Sequence, residues 1–207
     1  MAEEIFNADE ADVLGEMVNI AMGKAGATLA EAFSGFVHMR VPEIHAVNSS
    51  AMNETRERLI KTYDRISIIH QEFFGEFSGD IAVIYGPASY TALREVLGFD
   101  DRDGDGRRQR EELLLELGNA MSSTCITEVA AQLGLRTGVR PPRMAVFDLE
   151  SIEAAQKLFD DSTAWKGQTL QISIIFHLEA HQLPFELLFT VNSDCMPMIK
   201  ESLIKHL

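Results

Sequence analysis

The sequence predicts an α/β fold of the α+β kind, with a pseudo-twofold internal repeat and an antiparallel sheet covered on one face by two long helices. Three observations lead there. The stretch Asp12-Val-Leu-Gly-Glu16-Met-Val-Asn19 returns one hundred positions later as Glu112-Leu-Leu-Leu-Glu116-Leu-Gly-Asn119, and the same interval separates each copy from a proline, Pro42 or Pro142. Each copy also opens a long apolar-periodic run. Strand-like runs follow, mostly joined by hairpin connections rather than crossover helices, which favours antiparallel pairing. A chain of 207 residues is long enough to bury a substantial core, and an internal repeat favours two intimately packed halves. The expectation is one domain over 1–207, built from repeats at about 1–100 and 101–207.

The first repeat opens with a helix over residues 8–34, with Asn7 or Asp9 as N-cap and Gly35 as stop. Phe36 to Val47 alternates like a strand, and Pro42 marks an edge, bulge or bend within it. Residues 51–62 read as a short, highly charged helix. Arg65 to Phe74 and Asp80 to Tyr85 are β-rich runs joined by Gly75-Glu-Phe-Ser-Gly79 as a hairpin connection. A helix over 88–98, ending at Gly98, closes the half. The second repeat follows the same programme. Its long helix runs from about 110 to 133 and stops at Gly134; a strand covers 142–149 and a short helix 152–160. Strands at about 169–179 and 183–191 meet near His181-Gln182, and a last helix runs from about 194 to 206.

Winding the long helices at about 100° per residue separates their faces. With Leu14 at zero, Val18, Ala21, Ala25, Leu29 and Ala32 fall within about 60°, forming an apolar face. Asp12, Glu16 and Asn19 point the other way, and Gly23, Ala27 and Ala30 continue that outward stripe. Small residues there let another surface approach the backbone closely. The second helix repeats the geometry, with Met121, Cys125 and Val129 inward and Glu112, Glu116, Asn119, Ser123, Thr127 and Ala130 outward. A single Glu-x-x-Asn is ordinarily a solvated turn. A mid-helix Asn gains nothing from exposure, however, so its recurrence one turn after a Glu points to a function.

A formal charge of −14 and a pI near 4.8 argue against nucleic acid and anionic membrane as partners. Met1-Ala-Glu-Glu lacks the basic start of a signal peptide, and no apolar run is long enough to span a bilayer. Cys125 and Cys195 have no metal-type spacing and read as buried free thiols of a reducing cytoplasm. No metal ligand set is expected. Asp101-Arg-Asp103-Gly-Asp105-Gly106, with Glu112 at the twelfth position, formally fits a calcium loop. Arg108 stands where that loop usually has an aliphatic residue, and Arg107 and Arg110 add positive charge, so a polar turn between the halves is the preferred reading. His177 and His181 would lie about 13 Å apart along a straight strand, too far to share one metal. Met17, Met22 and Met121 read as core filler, and Trp165 falls in a polar connection.

The Glu-x-x-Asn pattern, preceded four positions earlier by an acid or Ser and followed by the proline, resembles the signature of the CheC/CheX/FliY family of chemotaxis phosphatases. Two copies in one chain are CheC-like. The resemblance covers nearly the whole sequence and departs at Glu112, where the family more often has Asp or Ser. It implies that the chain hydrolyses the aspartyl-phosphate of a CheY-type response regulator, with Glu16 and Asn19 forming one catalytic site and Glu116 and Asn119 the other. It implies no cofactor of the chain's own, since any Mg²⁺ would belong to the phosphorylated regulator. A monomer suffices to present both sites. The competing expectation is a non-catalytic adaptor that binds the regulator or a CheD-type deamidase.

Overall fold

Asn7 starts the first helix. Its Oδ1 accepts from the Glu10 backbone N–H at 2.9 Å, and its own N–H donates to Glu10 Oε2 at 2.9 Å. This reciprocal capping box selects Asn7 over Asp9 as the cap. The structure, a computed structural model, describes residues 5–32, 37–40, 42–47, 49–87, 89, 106–159, 169–178 and 183–206. In chain order its elements are α1 (Ala8–Ala32), β1 (Val37–Met39), β2 (Glu43–Val47), α2 (Ser49–Thr62), β3 (Arg65–Gly75) and β4 (Gly79–Tyr85). There follow α3 (Gly106–Gln132), β5 (Thr137–Val139), β6 (Arg143–Glu150), α4 (Ser151–Phe159), β7 (Thr169–Leu178), β8 (Leu183–Val191), a 3-10 turn at Ser193–Cys195 and α5 (Met196–Ile204). The expected helix over 88–98, apart from Ser89, the stop at Gly35, the His181-Gln182 connection, Trp165 and the acidic stretch 101–105 lie outside the described residues.

The described strands form one antiparallel sheet in the order β1–β7–β8–β4–β3–β5, with β2 also on β7 and β6 also on β3. Residues alternate between its faces, as the strand period requires. Ile81, Val83 and Tyr85 of β4 join the larger core with α1, α3 and α5, whereas Ala82 and Ile84 join a smaller one with Leu59 of α2 and Ala154 of α4. The two long helices therefore cover one face, as expected, and the short charged helices cover the other.

The prolines that follow the two motif copies interrupt the sheet edges, where a missing backbone donor costs no ladder bond. Pro42 lies between β1 and β2, and Pro141 and Pro142 lie between β5 and β6. The strand expected over Phe36 to Val47 is thus two segments on the same neighbour, β7. Strand β5 was not expected: Thr137-Gly138-Val139 before a proline pair has the composition of a turn. It forms because β3 offers an edge, pairing Phe73 with Val139 and Phe74 with Gly138. The tip of the Phe74 ring lies 2.7 Å from where a Gly138 Cβ would stand, so a larger residue there would push this exposed ring aside.

The first strands are exchanged between repeats. β1 and β2 from the first repeat pair with β7 of the second, while β5 and β6 from the second pair with β3 of the first. Beneath α2, the buried Glu186 of β8 accepts from both terminal nitrogens of Arg58 and from Ser173 Oγ at 3.0 Å. The carboxylate is thereby paired and hydrogen-bonded, as burial demands. That pairing holds the Arg58 guanidinium above its ordinary pKa. Cys125 and Cys195 are both free and buried, and desolvation raises the Cys125 thiol pKa well above its usual value.

Candidate active site

The helical period places the duplicated residues as the sequence implied. Leu14, Val18, Ala21, Ala25 and Leu29 of α1 are buried, as are Leu114, Met121, Cys125 and Val129 of α3. Asp12, Glu16 and Asn19 are exposed, and so are Glu112, Glu116 and Asn119. Met17, Met22 and Met121 are core residues. Ala130 is the exception, buried rather than outward. Gly134, with φ of 65°, turns the chain back so that Leu135 N–H bonds to the Ala130 carbonyl at 2.9 Å, and this return covers Ala130.

The exposed stripe of α1 has room around it. A Cβ on Gly23 or Gly26 would meet nothing within 4 Å, so nothing inside the fold requires glycine there. Gly118 differs, because a Cβ there would stand 2.8 Å from Ile69. Its absence lets α3 lie close on β3 just before Asn119.

Among the described residues, the side chains of Glu16, Asn19 and Glu116 have no hydrogen-bond or ion-pair partner within the chain, so all are available to a docking surface. Glu112 instead accepts from Arg108 Nε at 2.9 Å, one helical turn away. Asn119 is exposed yet tethered: its Oδ1 accepts from Gln71 Nε2 at 3.1 Å and from Ser123 Oγ at 3.1 Å. Gln71, 1% exposed, also donates to the Arg140 carbonyl at 2.8 Å, and its Oε1 accepts from Ser122 Oγ. The sequence reading missed Gln71 and Ser122. The available signal was strand alternation, which puts Gln71 between Ile69 and Phe73 on the core face, where a buried amide requires partners.

No group of three or more His, Cys, Asp or Glu side chains able to hold a metal occurs among the described residues. No described helix is long and apolar enough to cross a membrane.

This arrangement, an antiparallel sheet with two long helices on one face, is shared with FliY, CheX and CheC-like proteins of known structure. FliY of Thermotoga maritima superposes with a TM-score of 0.66 at 15% identity, covering 99% of this chain and 100% of that one. CheX of Borrelia burgdorferi, solved as a CheX–CheY–BeF3–Mg complex, gives a TM-score of 0.52 at 12% identity over 84% of this chain and 96% of that chain. The FliM middle domain of H. pylori also shares the fold, with a TM-score of 0.53 at 7% identity over 95% and 99% of the two chains. No protein-family model matches the sequence. A fold shared this widely does not by itself assign an activity, which rests on the site.

Proposed function

We propose that this chain is a cytoplasmic phosphatase that accelerates hydrolysis of the aspartyl-phosphate on a CheY-type response regulator in chemotaxis or flagellar control. The observation that carries the reading is the duplicated outward Glu-x-x-Asn. Four side chains, Glu16, Asn19, Glu116 and Asn119, are exposed in matched pairs on the two long helices. The two repeats act as one unit of about 207 residues, because each supplies the other's sheet edge. A monomer presents both sites.

The chemistry suits these residue types. An acyl phosphate is already activated, so its hydrolysis needs an oriented water more than a strong base. A carboxamide inserted into the regulator's phosphorylation pocket holds that water in line. The carboxylate one turn earlier pairs with the regulator's active-site lysine and fixes the docking register. Gly23 and Gly26, with open space above them, let the regulator lie flat on α1. Any Mg²⁺ belongs to the regulator's own pocket, and this chain contributes no ligand to it.

The test is the lifetime of phosphorylated regulator with and without the chain. The wild type shortens it, and Asn19→Ala combined with Asn119→Ala abolishes the effect. Full activity in that double variant removes these residues from the mechanism. A lengthened lifetime with the wild type means sequestration by an adaptor, which would leave binding of the regulator or of a CheD-type deamidase as the function.

A further inference from the structure

The two sites are not equivalent, because only the second has its amide anchored. We infer that Gln71 is the positioning residue of the second site, holding Asn119 with its carbonyl oxygen inward and its Nδ2 group outward, so that Asn119 acts as a hydrogen-bond donor. This deepens the phosphatase reading and rests on it.

Donor and acceptor chemistry sets the orientation step by step. The Arg140 carbonyl can only accept, so the Gln71 atom 2.8 Å from it is Nε2. Gln71 Oε1 then faces the Ser122 hydroxyl. The remaining Nε2 hydrogen is directed at Asn119 Oδ1 at 3.1 Å and Ser123 Oγ at 3.3 Å. An acceptor must stand there, because a flipped Asn119 would bring two N–H groups face to face next to a buried amide. Ser123 Oγ donates to the same oxygen at 3.1 Å. With Oδ1 occupied by two donors, Nδ2 is the polar atom left for a partner.

The first repeat lacks all three anchors. Arg143 pairs with His70, and Glu43, which stands one residue after Pro42 as Arg143 does after Pro142, pairs with Ser173. Ser173 therefore occupies the place of His70, and the buried Ile174 that of Gln71. Aligning Asn19 with Asn119 puts Met22 and Gly23 where the second repeat has Ser122 and Ser123. Asn19 must be ordered by the partner at each docking event, whereas Asn119 is ordered beforehand.

The experiment uses the full chain carrying Asn19→Ala, which leaves only the second site, and varies the concentration of phosphorylated regulator. Gln71→Leu is expected to lower kcat on the order of 10-fold with KM unchanged, since Gln71 is buried and cannot touch the regulator. Ser123→Ala, which removes one of the two donors at a half-buried position, lowers kcat roughly threefold and serves if Gln71→Leu does not fold. In the wild-type chain, NMR relaxation of the side-chain amides shows the Asn119 carboxamide more ordered than that of Asn19, and Gln71→Leu removes the difference. An unchanged kcat in both variants, or equal disorder of the two carboxamides in the wild type, overturns the inference. A wild-type chain that leaves the regulator's lifetime unchanged overturns the phosphatase reading instead, and the relaxation comparison still decides whether Gln71 orders Asn119.

Discussion

A carboxylate at the surface acquires an unusual pKa only where several donors converge on it, and Glu76 is such a case. Its Oε2 accepts from the Arg136 backbone N–H at 2.9 Å, and its Oε1 accepts from the guanidinium at 2.7 and 3.2 Å. Hydrogen bonds from the Arg136 side chain, then from its backbone, lower the Glu76 pKa from 4.5 to about 2. A depressed carboxylate pKa stabilises the fold above the unfolded value, and that contribution disappears as pH falls from about 4.5 to about 2. NMR titration of the Glu76 carboxyl carbon should show the low midpoint, and Arg136→Ala should return it toward 4.5. Because the pair is exposed, salt should weaken the effect. A Glu76 midpoint in the ordinary carboxylate range would show that the contact does not persist in solution. The Glu76 and Asn119 contacts share a physical pattern: a local sequence supplies a polar group, and a strand or loop distant in the chain supplies its donors.

Within an element, identical residue types serve opposite purposes, as the helical glycines show. Gly23 in α1 has open space where a Cβ would stand, while Gly118 in α3 has Ile69 at 2.8 Å. Gly23→Ala should therefore stabilise the chain by about 0.5–1 kcal/mol, since alanine loses less backbone freedom on entering a helix. Gly118→Ala should destabilise it by about 1–3 kcal/mol, as the helix must lift from β3 or Ile69 must leave its rotamer. Denaturant unfolding of the two variants measures both signs. Equal effects would mean that α3 does not approach β3 as closely as the geometry requires. Lifting α3 would also draw Asn119 away from Gln71, so Gly118→Ala should reduce regulator turnover at the second site more than its stability loss explains.

At the scale of the molecule, the exchanged edge strands couple the repeats. A first half expressed alone would leave one side of β3 without β5 and β6, and its own β1 and β2 without β7. A second half would have the reciprocal defect. Both halves bury residues in the larger core, Leu14 and Ile81 from the first and Leu114 and Phe189 from the second. Residues 1–105 or 106–207 alone should therefore show no cooperative thermal transition, while the intact chain unfolds in a single one by circular dichroism. A half that melts cooperatively by itself would show that strand exchange is not needed for folding.

Local pattern made much of this protein legible. The inward stripe of Leu14, Val18, Ala21, Ala25 and Leu29, a cap at Asn7 or Asp9, the stop at Gly134 and the hairpin of β3 and β4 all depend on residues a few positions apart, and a sequence displays those spacings directly. The outward placement of Glu16, Asn19, Glu116 and Asn119 follows from the same period. Strand β5, the exchange of β1 and β2 for β5 and β6, the burial of Ala130 and the tether from Gln71 to Asn119 depended instead on tertiary structure. Backbone hydrogen bonds pair any two edges that meet, whatever their side chains, and an amide's orientation depends on donors brought from far along the chain. Those encounters are settled when the two repeats pack, so only the folded molecule distinguishes one Asn from the other.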